Sequence, residues 1–532
     1  MPLDEPMLTD GDRGFRGINS YLEPITLEPG FVESSENMRL NGDLAEVRKG
    51  IEFKAGSVTL TYASDEKVFC AALFADPATD TEFIIVATKN KAIIWNDSNN
   101  SGIDIAYPGG ETVSAAMTPS FVQASEKIIL FRGASNRPLE WDGNYSSPTA
   151  FTALPNPAPS SGITPCPNTT FGVYFANRLL VPDIADSRFT VSASQLLSPN
   201  EFYNADSQFR LSKGSATGGV VAITPYLENQ AIIFQRNAIF LINNIATTSA
   251  AATFEITRQF GCVARKSVAS SGPQIYFLSD SGVMTLQQGL DPAKNLGVAI
   301  SKVSGEALPL TQPIQDQFDQ ANFANADKAV GVTFDNKYFL AYPGTPTSVT
   351  NDRIAIFDIL KNSWVSIDSF PAGFQIDDFV VCNHGTNPTK RRLFAVSDRG
   401  WHLIEESATD VTGTIGNGTT TSTAIPAKLK TRSFSLGNLE VKSWKRGSLG
   451  VVVNDGDQFT IKVNTTDPDR TNTVHTENYA GSQEDKLIRF GSGRARGQSA
   501  SVEIDVQAGR PALRHVSLTA TQVGGDNRRD FQ

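Results

Sequence analysis

Short apolar segments separated by short polar turns recur along most of the chain, and this pattern predicts β-hairpins. The apolar segments are rich in Ile, Val, Phe and Trp, and the turns are rich in Asp, Asn and Gly. β-Branched and aromatic side chains suit pleated strands, whereas Asp, Asn and Gly tolerate the positive φ angles of tight turns. We predict hairpins at residues 83–87 with 92–95, 128–131 with 139–141, 179–181 with 189–191, 231–234 with 239–242, 275–278 with 283–286, 332–334 with 338–342, 354–358 with 364–367, and 393–396 with 401–404.

The spacing of these hairpins is nearly regular. Successive turns lie 45, 51, 51, 45, 55 and 63 residues apart when one marker residue is taken for each. Repeats of four short strands at such intervals are typical of propeller blades. We therefore expect an all-β chain whose main body is an irregular β-propeller of about six to eight blades, with a string of β-sandwich domains as the alternative. The markers are Lys89, Ala134, Ala185, Arg236, Ser281, Asn336 and Arg399.

Changes in composition divide the chain into four parts. Residues 1–50 are punctuated by turn motifs, and we expect this segment to join the propeller of residues 51–406, in which 312–327 is a short helical candidate. Residues 407–426 are rich in Thr, Gly and Ser and predict a linker or an exposed loop. Residues 427–532 contain six strand candidates and predict a C-terminal β-sandwich. These candidates are 431–436, 449–453, 459–463, 487–490, 500–506 and 513–520.

The charge of the chain is unevenly distributed. The net charge is −10, yet residues 427–532 carry 16 Lys and Arg against 12 Asp and Glu, whereas residues 1–426 carry 30 against 44. An acidic chain is not built to grip nucleic-acid phosphates over its whole surface. The asymmetry indicates either two surfaces with different neighbours or a chance excess of basic residues in a segment of about a hundred residues.

Candidate chemistry is sparse in this sequence. The four cysteines are about a hundred residues apart and form no zinc motif, so we expect isolated buried thiols. No nucleophile elbow, phosphate loop or zinc-protease motif occurs, and we expect no enzymatic activity and no cofactor. No segment reaches 18 apolar residues, so no membrane span is predicted, and the acidic, proline-containing start is unlike a secretory signal.

The opening segment carries an ordered set of turn motifs that resembles a known family. The pattern G-x-N, L-x-P-G, N-M-R, x-x-G and R-K-G is similar to the N-terminus of bacteriophage tail proteins, in particular the nozzle (distal tail-tube) proteins of short-tailed phages. The C-terminal runs KLKTRS (428–433), KSWKRG (442–447) and GSGRARG (491–497) are similar to runs in those proteins. The opening residues that carry the resemblance are Asn19, Pro29, Gly30, Asn37, Arg39, Gly42, Arg48 and Gly50.

The resemblance implies a structural protein of the virion tail, made in the host cytoplasm. It implies a homo-oligomeric ring, a hexamer, that stacks below the adaptor ring under the portal. Genomic DNA would pass through its central channel without sequence-specific binding, and tail fibres or spikes would attach to its flanks. The family could also be that of another tail or neck component.

The basic C-terminal runs define a second candidate site, a basic cluster at an interface. Because a firm grip on DNA would resist ejection, we expect these residues to face a protein and the acidic residues of 1–426 to line the channel. The other interpretation is a solvated strand edge that is protected by charge. The cluster consists of Lys442, Lys445, Arg446, Arg494 and Arg496.

A different class of function is the alternative. A monomeric propeller that binds or degrades carbohydrate at a cell surface would share the same hairpin pattern. The native mass distinguishes the two hypotheses, since a ring of six chains of 57.3 kDa differs clearly from a monomer with affinity for glycans.

Overall fold

Antiparallel strands form most of the chain in the computed structural model. It describes residues 7–54, 67–157, 162–183, 189–203, 207–211, 218–288, 298–300, 302–303, 306–384, 387–416, 419–466, 469–492 and 495–522. Six short strands come first, and the Asn41-Gly42 turn joins two of them into a hairpin. They are β1 (Met7–Arg13), β2 (Gly17–Ile18), β3 (Phe31–Glu36), β4 (Met38–Leu40), β5 (Ala45–Val47) and β6 (Gly50–Phe53).

Three sheets of consecutive antiparallel strands, which we name blades 1 to 3, follow the opening strands. In blade 3 the first strand in the chain crosses to the outer edge of its sheet. The strands of blade 1 are β7 (Cys70–Ala75), β8 (Glu82–Ala87), β9 (Lys91–Asn96) and β10 (Ser101–Ala106); those of blade 2 are β11 (Ser120–Ala124), β12 (Lys127–Phe131), β13 (Leu139–Trp141) and β14 (Thr152–Ala153); those of blade 3 are β15 (Ile163–Pro165), β16 (Val173–Phe175), β17 (Arg178–Pro182), β18 (Thr190–Gln195), β19 (Ser198–Tyr203) and β20 (Gln208–Arg210).

Blades 4 to 6 repeat the same four-stranded arrangement. A two-stranded hairpin, β29 (Lys302–Val303) and β30 (Glu306–Ala307), separates blade 5 from blade 6. Blade 4 contains β21 (Val220–Tyr226), β22 (Gln230–Gln235), β23 (Ile239–Asn243) and β24 (Ala252–Thr257); blade 5 contains β25 (Ala269–Ser271), β26 (Gln274–Ser279), β27 (Gly282–Gln288) and β28 (Val298–Ile300); blade 6 contains β31 (Val330–Phe334), β32 (Lys337–Tyr342), β33 (Arg353–Asp358) and β34 (Ser363–Ser369).

A further sheet closes the ring. It contains β35 (Asp378–His384), β36 (Asn387–Ser397) and β37 (Gly400–Ser407), and β6 of the opening segment pairs with β37. We name it the closing sheet. The innermost strands contact one another around the ring, and β35 contacts both β31 and β7. The predicted all-β propeller is therefore confirmed: six blades of consecutive strands and the closing sheet agree with the expected six to eight blades.

The helical candidate at 312–327 is a run of single helical turns. A 3₁₀ helix at Gln312–Ile314 leads into α1 (Gln315–Phe318), and a second 3₁₀ helix covers Phe323–Lys328. No helix of the described residues is long and apolar enough to cross a bilayer. The remaining 3₁₀ helices are Pro108–Gly110, Ala115–Met117, Thr248–Ala250 and Arg265–Ser267.

The C-terminal strands form the predicted sandwich, but opening strands complete both of its sheets. One sheet has the order β4-β5-β47-β41-β44 and also includes β1, which pairs with β47. The other contains β3-β40-β46-β42-β43 and continues through β3 into β34 of blade 6. The C-terminal strands are β40 (Ala427–Thr431), β41 (Lys442–Val453), β42 (Gln458–Thr466), β43 (Asp469–Asn478), β44 (Glu484–Gly491), β45 (Arg496–Gly497), β46 (Ala500–Ala508) and β47 (Ala512–Gln522).

Three local expectations need correction. The boundaries 1–50 and 427–532 separate strands that the structure pairs, since pairing between distant segments leaves no mark in local sequence. Residues 407–426 are not wholly a linker: β38 (Asp410–Gly413) and β39 (Thr420–Thr423) form a hairpin on the closing sheet, and β38 pairs with β6. β39 has the sequence TTST, and all four of its residues are exposed. It therefore lacks the alternating apolar residues from which a strand could be predicted. The strand predicted at 431–436 lies too late in the chain: the observed strand β40 covers Ala427–Thr431, and only Thr431 is common to both.

The largest hydrophobic core joins the sandwich to blade 6. Trp364 of blade 6 and Trp444 of β41 belong to it and are each at most 1 % exposed. All four cysteines are buried and unpaired, as expected. The shared core predicts that sandwich and blade 6 unfold as one cooperative unit, because each buries apolar surface against the other.

Candidate functional site

Asn37 lies at the bend between β3 and β4, where the backbone needs a positive φ of 55°. Asparagine accepts this left-handed conformation more readily than most residues. The side chain is fully buried; its Nδ2 donates to Ser369 Oγ at 2.8 Å and to the carbonyl of Pro426 at 2.7 Å. Its Oδ1 accepts from the backbone N–H of Ser369 at 2.9 Å. Asn37 thus holds the opening segment against the end of blade 6.

Arg48 reaches the same place from β5 and uses every donor that it has. Its two terminal nitrogens bind both carboxylate oxygens of Asp410, at 2.8 and 2.7 Å. They also donate to the carbonyls of Lys49 at 3.1 Å and Ser369 at 2.9 Å, and Nε donates to Asn37 Oδ1 at 2.9 Å. A planar guanidinium has five N–H groups in a fixed fork, so no lysine could replace these contacts.

Arg39 forms the second buried ion pair of this junction. Its terminal nitrogens bind both oxygens of Asp368, at 2.9 and 2.7 Å, and its Nε donates to Glu405. Burial by itself would raise the pKa of Asp368, but the charges of Arg39 and then Arg48 hold that pKa below its ordinary value. Asp368 is therefore ionised at neutral pH.

We name this set the polar joint: Asn37, Arg39, Arg48, Asp368, Ser369, Glu405 and Asp410. It connects β3–β5 to blade 6, to the closing sheet and to β38. A buried ion pair is directional, because its charges are tolerated only where each finds its partner. The joint therefore fixes the orientation of the opening segment relative to the ring. The sequence motif picked out Asn37, Arg39 and Arg48, but nothing local identified their acidic partners more than 300 residues away.

The other motif residues shape turns and close approaches. Asn19 donates its backbone N–H to the carbonyl of Val32 at 2.9 Å. Gly30 and Gly42 have φ angles of 90° and 88°, which glycine adopts without strain. A β-carbon on Gly50 would lie 1.9 Å from the carbonyl oxygen of Thr409, so only glycine fits there. Pro29 lies exposed in its turn.

The structure divides the predicted basic cluster. Lys442 is 1 % exposed, and its ammonium donates to three backbone carbonyls, those of Asn438 at 2.7 Å, Glu440 at 2.8 Å and Gln498 at 2.9 Å. Its assignment to an interface is therefore wrong: Lys442 is an internal support. Alternation in β41 places residue 442 on the same buried face as Trp444, and this pattern is the signal that could have identified it. Arg494 lies outside the described residues.

The remaining cations of the cluster lie on the outer surface. Lys445, Arg446 and Arg496 are exposed, and in the described part of the chain none of them forms an ion pair. Arg489, which was not among the predicted residues, joins them. It is exposed on β44, where it pairs with Ser448 of β41, two positions along from the pair of Arg446 with Gly491. The inward Ile488 and Phe490 could have identified it, since alternate residues face opposite sides of a strand. We name Lys445, Arg446, Arg489 and Arg496 the cationic face.

Cys382 and His384 share one face of β35, but they do not form an activated nucleophile. Burial raises the pKa of the Cys382 thiol above its ordinary value, so the thiol stays protonated at neutral pH. His384 instead contacts Asp97 of blade 1, with Nδ1 and Oδ2 2.5 Å apart. The described residues contain no group of three or more His, Cys, Asp or Glu side chains that could hold a metal ion.

Comparison with known proteins adds little to this picture. No family model matches the sequence, and no curated protein matches it. Among solved structures, the extracellular domain of a one component system from B. thetaiotaomicron matches with a TM-score of 0.40 and 10% identity over 87% of this chain. AztD from Citrobacter koseri has a TM-score of 0.34 and 12% identity over 78% of this chain and 98% of its own. An exo-beta-1,3-galactanase from Phanerochaete chrysosporium has a TM-score of 0.25 and 10% identity over 78% and 98%.

These likenesses are too weak to carry an argument about ligand or activity. The chain spans only 60% of the length of the B. thetaiotaomicron domain.

Proposed function

We propose that the chain is a structural subunit of a short phage tail, a nozzle protein that assembles into a homo-oligomeric ring. The genome would leave the particle through the channel of that ring. The observation that carries the proposal is the polar joint: three residues of the motif that resembles the nozzle family, Asn37, Arg39 and Arg48, meet in one buried cluster. The resemblance to the nozzle family thus rests partly on residues that hold the opening segment against the propeller.

The connections of the joint suit a subunit that transmits force. The opening strands pair with β40 and β47 of the sandwich, with blade 6, and with the closing sheet. Pulling the sandwich away from the propeller would break strand ladders and expose paired charges together. A subunit of a conduit under internal pressure needs such a connection, because its two parts must keep their relative positions.

The cationic face supports an attachment role. Its four cations lie on the outer surface of the sandwich without ion pairs in the described residues, whereas residues 1–426 carry 14 more acidic than basic side chains. A cationic patch favours docking on an acidic neighbour and speeds the encounter. A second copy of the chain, or the adaptor ring above it, would offer such a neighbour. Closed rotational symmetry with the same contact repeated between copies gives a ring.

The test is assembly with the neighbouring ring. The purified chain is mixed with the purified adaptor ring, and the product is examined by native mass spectrometry and negative-stain electron microscopy. The proposal expects a ring whose mass rises by six times 57.3 kDa. A chain that stays monomeric and does not attach to the adaptor ring contradicts it.

Localisation in the particle gives an independent readout. Antibodies against the chain, coupled to gold and applied to intact virions, should label the distal end of the tail. Label on the capsid, or absence of the chain from purified virions, contradicts the proposal.

A further inference from the structure

Exposed apolar side chains gather at one end of the C-terminal sandwich. The strands β1, β3, β41 and β46 begin at this end, and β40, β44 and β47 end there, so the connecting segments 19–30 and 432–441 lie there as well. Six of the fourteen large apolar residues that are exposed in the described part of the chain belong to this end. Such a group marks a site of interaction, whereas single exposed apolar residues are ordinary. We name it the apolar end: Met7, Leu8, Tyr21, Leu22, Leu439 and Val441.

One of the two segments is fixed by the buried lysine of β41. The ammonium of Lys442 donates to the carbonyls of Asn438 and Glu440, at 2.7 and 2.8 Å. These two carbonyls flank Leu439, whose side chain is nevertheless 64% exposed. The protein therefore holds the backbone of this segment in place and presents the leucine to solvent. A side chain that is already fixed in position loses less entropy when a partner covers it.

The other segment is fixed in the same way. The backbone N–H of Tyr21 donates to the carbonyl of Pro313 at 3.3 Å, while the ring of Tyr21 is 59% exposed and Leu22 is exposed beside it. The backbone N–H of Ser433 donates to the carbonyl of Pro24 at 2.9 Å and so connects the two segments. The apolar end is therefore one fixed surface made by both ends of the chain.

Opposite charges flank the apolar end on two sides. The cationic face lies on the outer surface of the sheet that contains β41, and Arg496 on β45 pairs with Ser443 at the start of β41. Four exposed acidic residues lie on the side of segment 19–30, where Ser20 donates its hydroxyl to one of them. Neither these acids nor the cations form an ion pair with any residue that the structure describes. The acids are Glu23, Glu28, Asp316 and Asp319.

We infer that the apolar end is the surface by which copies of this chain contact one another, with the acidic side of one copy against the cationic face of the next. Each copy carries both signs of charge unpaired, so a second copy complements it. A nucleic acid or an anionic bilayer would meet four acids as well as the cations, and neither therefore fits this surface. Because different sides of each copy meet, the contact is head-to-tail, the kind that closes into a ring. This inference rests on the ring proposed above and names the surface that joins its copies.

The first experiment removes apolar side chains from the full chain. Leu22→Ser combined with Leu439→Ser should raise the concentration at which copies associate by about 10-fold or more for each leucine. Analytical ultracentrifugation of the purified chain at about 1 to 100 µM, alone and with the adaptor ring, measures this. Leu197→Ser combined with Leu227→Ser is the matched control, since both leucines are exposed in turns of the propeller and should not affect association. Thermal unfolding reports whether each variant is folded.

The outcomes separate this inference from the proposed function. If the folded Leu22→Ser, Leu439→Ser chain associates as the wild type does, or the control loses association equally, the inference is overturned while the ring stands. Copies that associate through the apolar end without attaching to the adaptor ring contradict the nozzle role alone. A wild-type chain that stays monomeric, both alone and with the adaptor ring, overturns both.

A mixing experiment tests the pairing of charges. One variant carries Arg446→Glu and Arg496→Glu, and the other carries Glu23→Lys and Glu28→Lys. Each variant alone should associate about 10-fold or more weakly than the wild type, because sides of like charge meet. In an equal mixture the copies can alternate, every contact again joins opposite charges, and association should return. A mixture that associates no more strongly than either variant alone overturns the head-to-tail contact.

Discussion

The guanidinium of Arg48 donates all five of its N–H groups inside the protein, and its side chain is 2 % exposed. Arg48→Met would leave Asp410 buried without its partner. Removing one member of a buried ion pair typically costs about 3–5 kcal/mol, most of it from the charge that remains. We expect a loss of this size in the free energy of unfolding, measured by urea titration with tryptophan fluorescence.

Arg236→Met is the control for that prediction. Arg236 and Asp280 form an exposed pair whose side chains are 53% and 44% accessible. Such pairs contribute about 0–1 kcal/mol. Equal effects of the two substitutions would show that the polar joint does not stabilise the fold.

His402 makes stability depend on acid pH. Its ring lies between Phe53 and Phe374, with centroids 5.2 and 4.9 Å away, and burial together with the charge of Arg399 lowers its pKa to about 3. The unfolded chain binds the proton near pH 6.5, so this contribution is complete above that pH and is lost as pH falls towards 3. Between pH 7 and pH 5 the wild type should lose about 2 kcal/mol more than His402→Phe. Parallel pH profiles from urea titrations of the two proteins would refute this.

The closing sheet depends on a strand from the other end of the propeller. β6 pairs with β37 and with β38. Gly50, at the start of β6, lies so close to the backbone of Thr409 that no β-carbon fits between them. Gly50→Ala forces these segments apart, and overpacking of this kind costs about 1–3 kcal/mol. The expected readout is a lower thermal midpoint and faster proteolysis of the closing sheet.

Gly491→Ala provides the comparison at the same scale. Gly491 is exposed on β44, and its nearest neighbour would lie 4.0 Å from an added β-carbon. This substitution should change neither the thermal midpoint nor the proteolysis rate. Equal destabilisation by both alanines would mean that the general cost of altering a strand glycine, rather than the contact with Thr409, explains the result.

At the scale of the whole molecule, the proposed ring predicts an electrostatic assembly step. Reversing two charges of the cationic face, with Arg446→Glu and Arg496→Glu, should weaken assembly with the adaptor ring, and raising NaCl from 0.1 to 0.5 M should weaken assembly of the wild type. Analytical ultracentrifugation measures both. Reversal of Arg236 and Arg258 on the propeller gives the same change in net charge and should have little effect. Loss of assembly in that control as well would assign the effect to net charge alone.

Local sequence was sufficient for the strands and insufficient for their long-range partners. The hairpin at 83–87 with 92–95 is observed as β8 and β9, because alternation, β-branched residues and a polar turn all act within a few residues. β1 pairs with β47 about 500 residues later, and no local pattern indicates that pairing. The hairpin of β38 and β39 was missed because its residues are mostly polar or glycine and all four residues of β39 are exposed, so the sequence carries no apolar alternation there.

The candidate sites divide in the same way. The motif pointed to Asn37, Arg39 and Arg48, but their role depends on Asp368 and Asp410, which only folding brings near. Lys442 looked like part of a surface patch, and burial of its strand face made it an internal support instead.

The order of apolar and polar residues alone determined that this chain would form hairpins and that these would repeat as blades, because strand and turn preferences act over a few residues. The tertiary structure decided which strands close the ring, that both ends of the chain build one sandwich, and which charges are buried. Those outcomes depend on contacts between residues hundreds of positions apart, where packing and ion pairing select one partner among many.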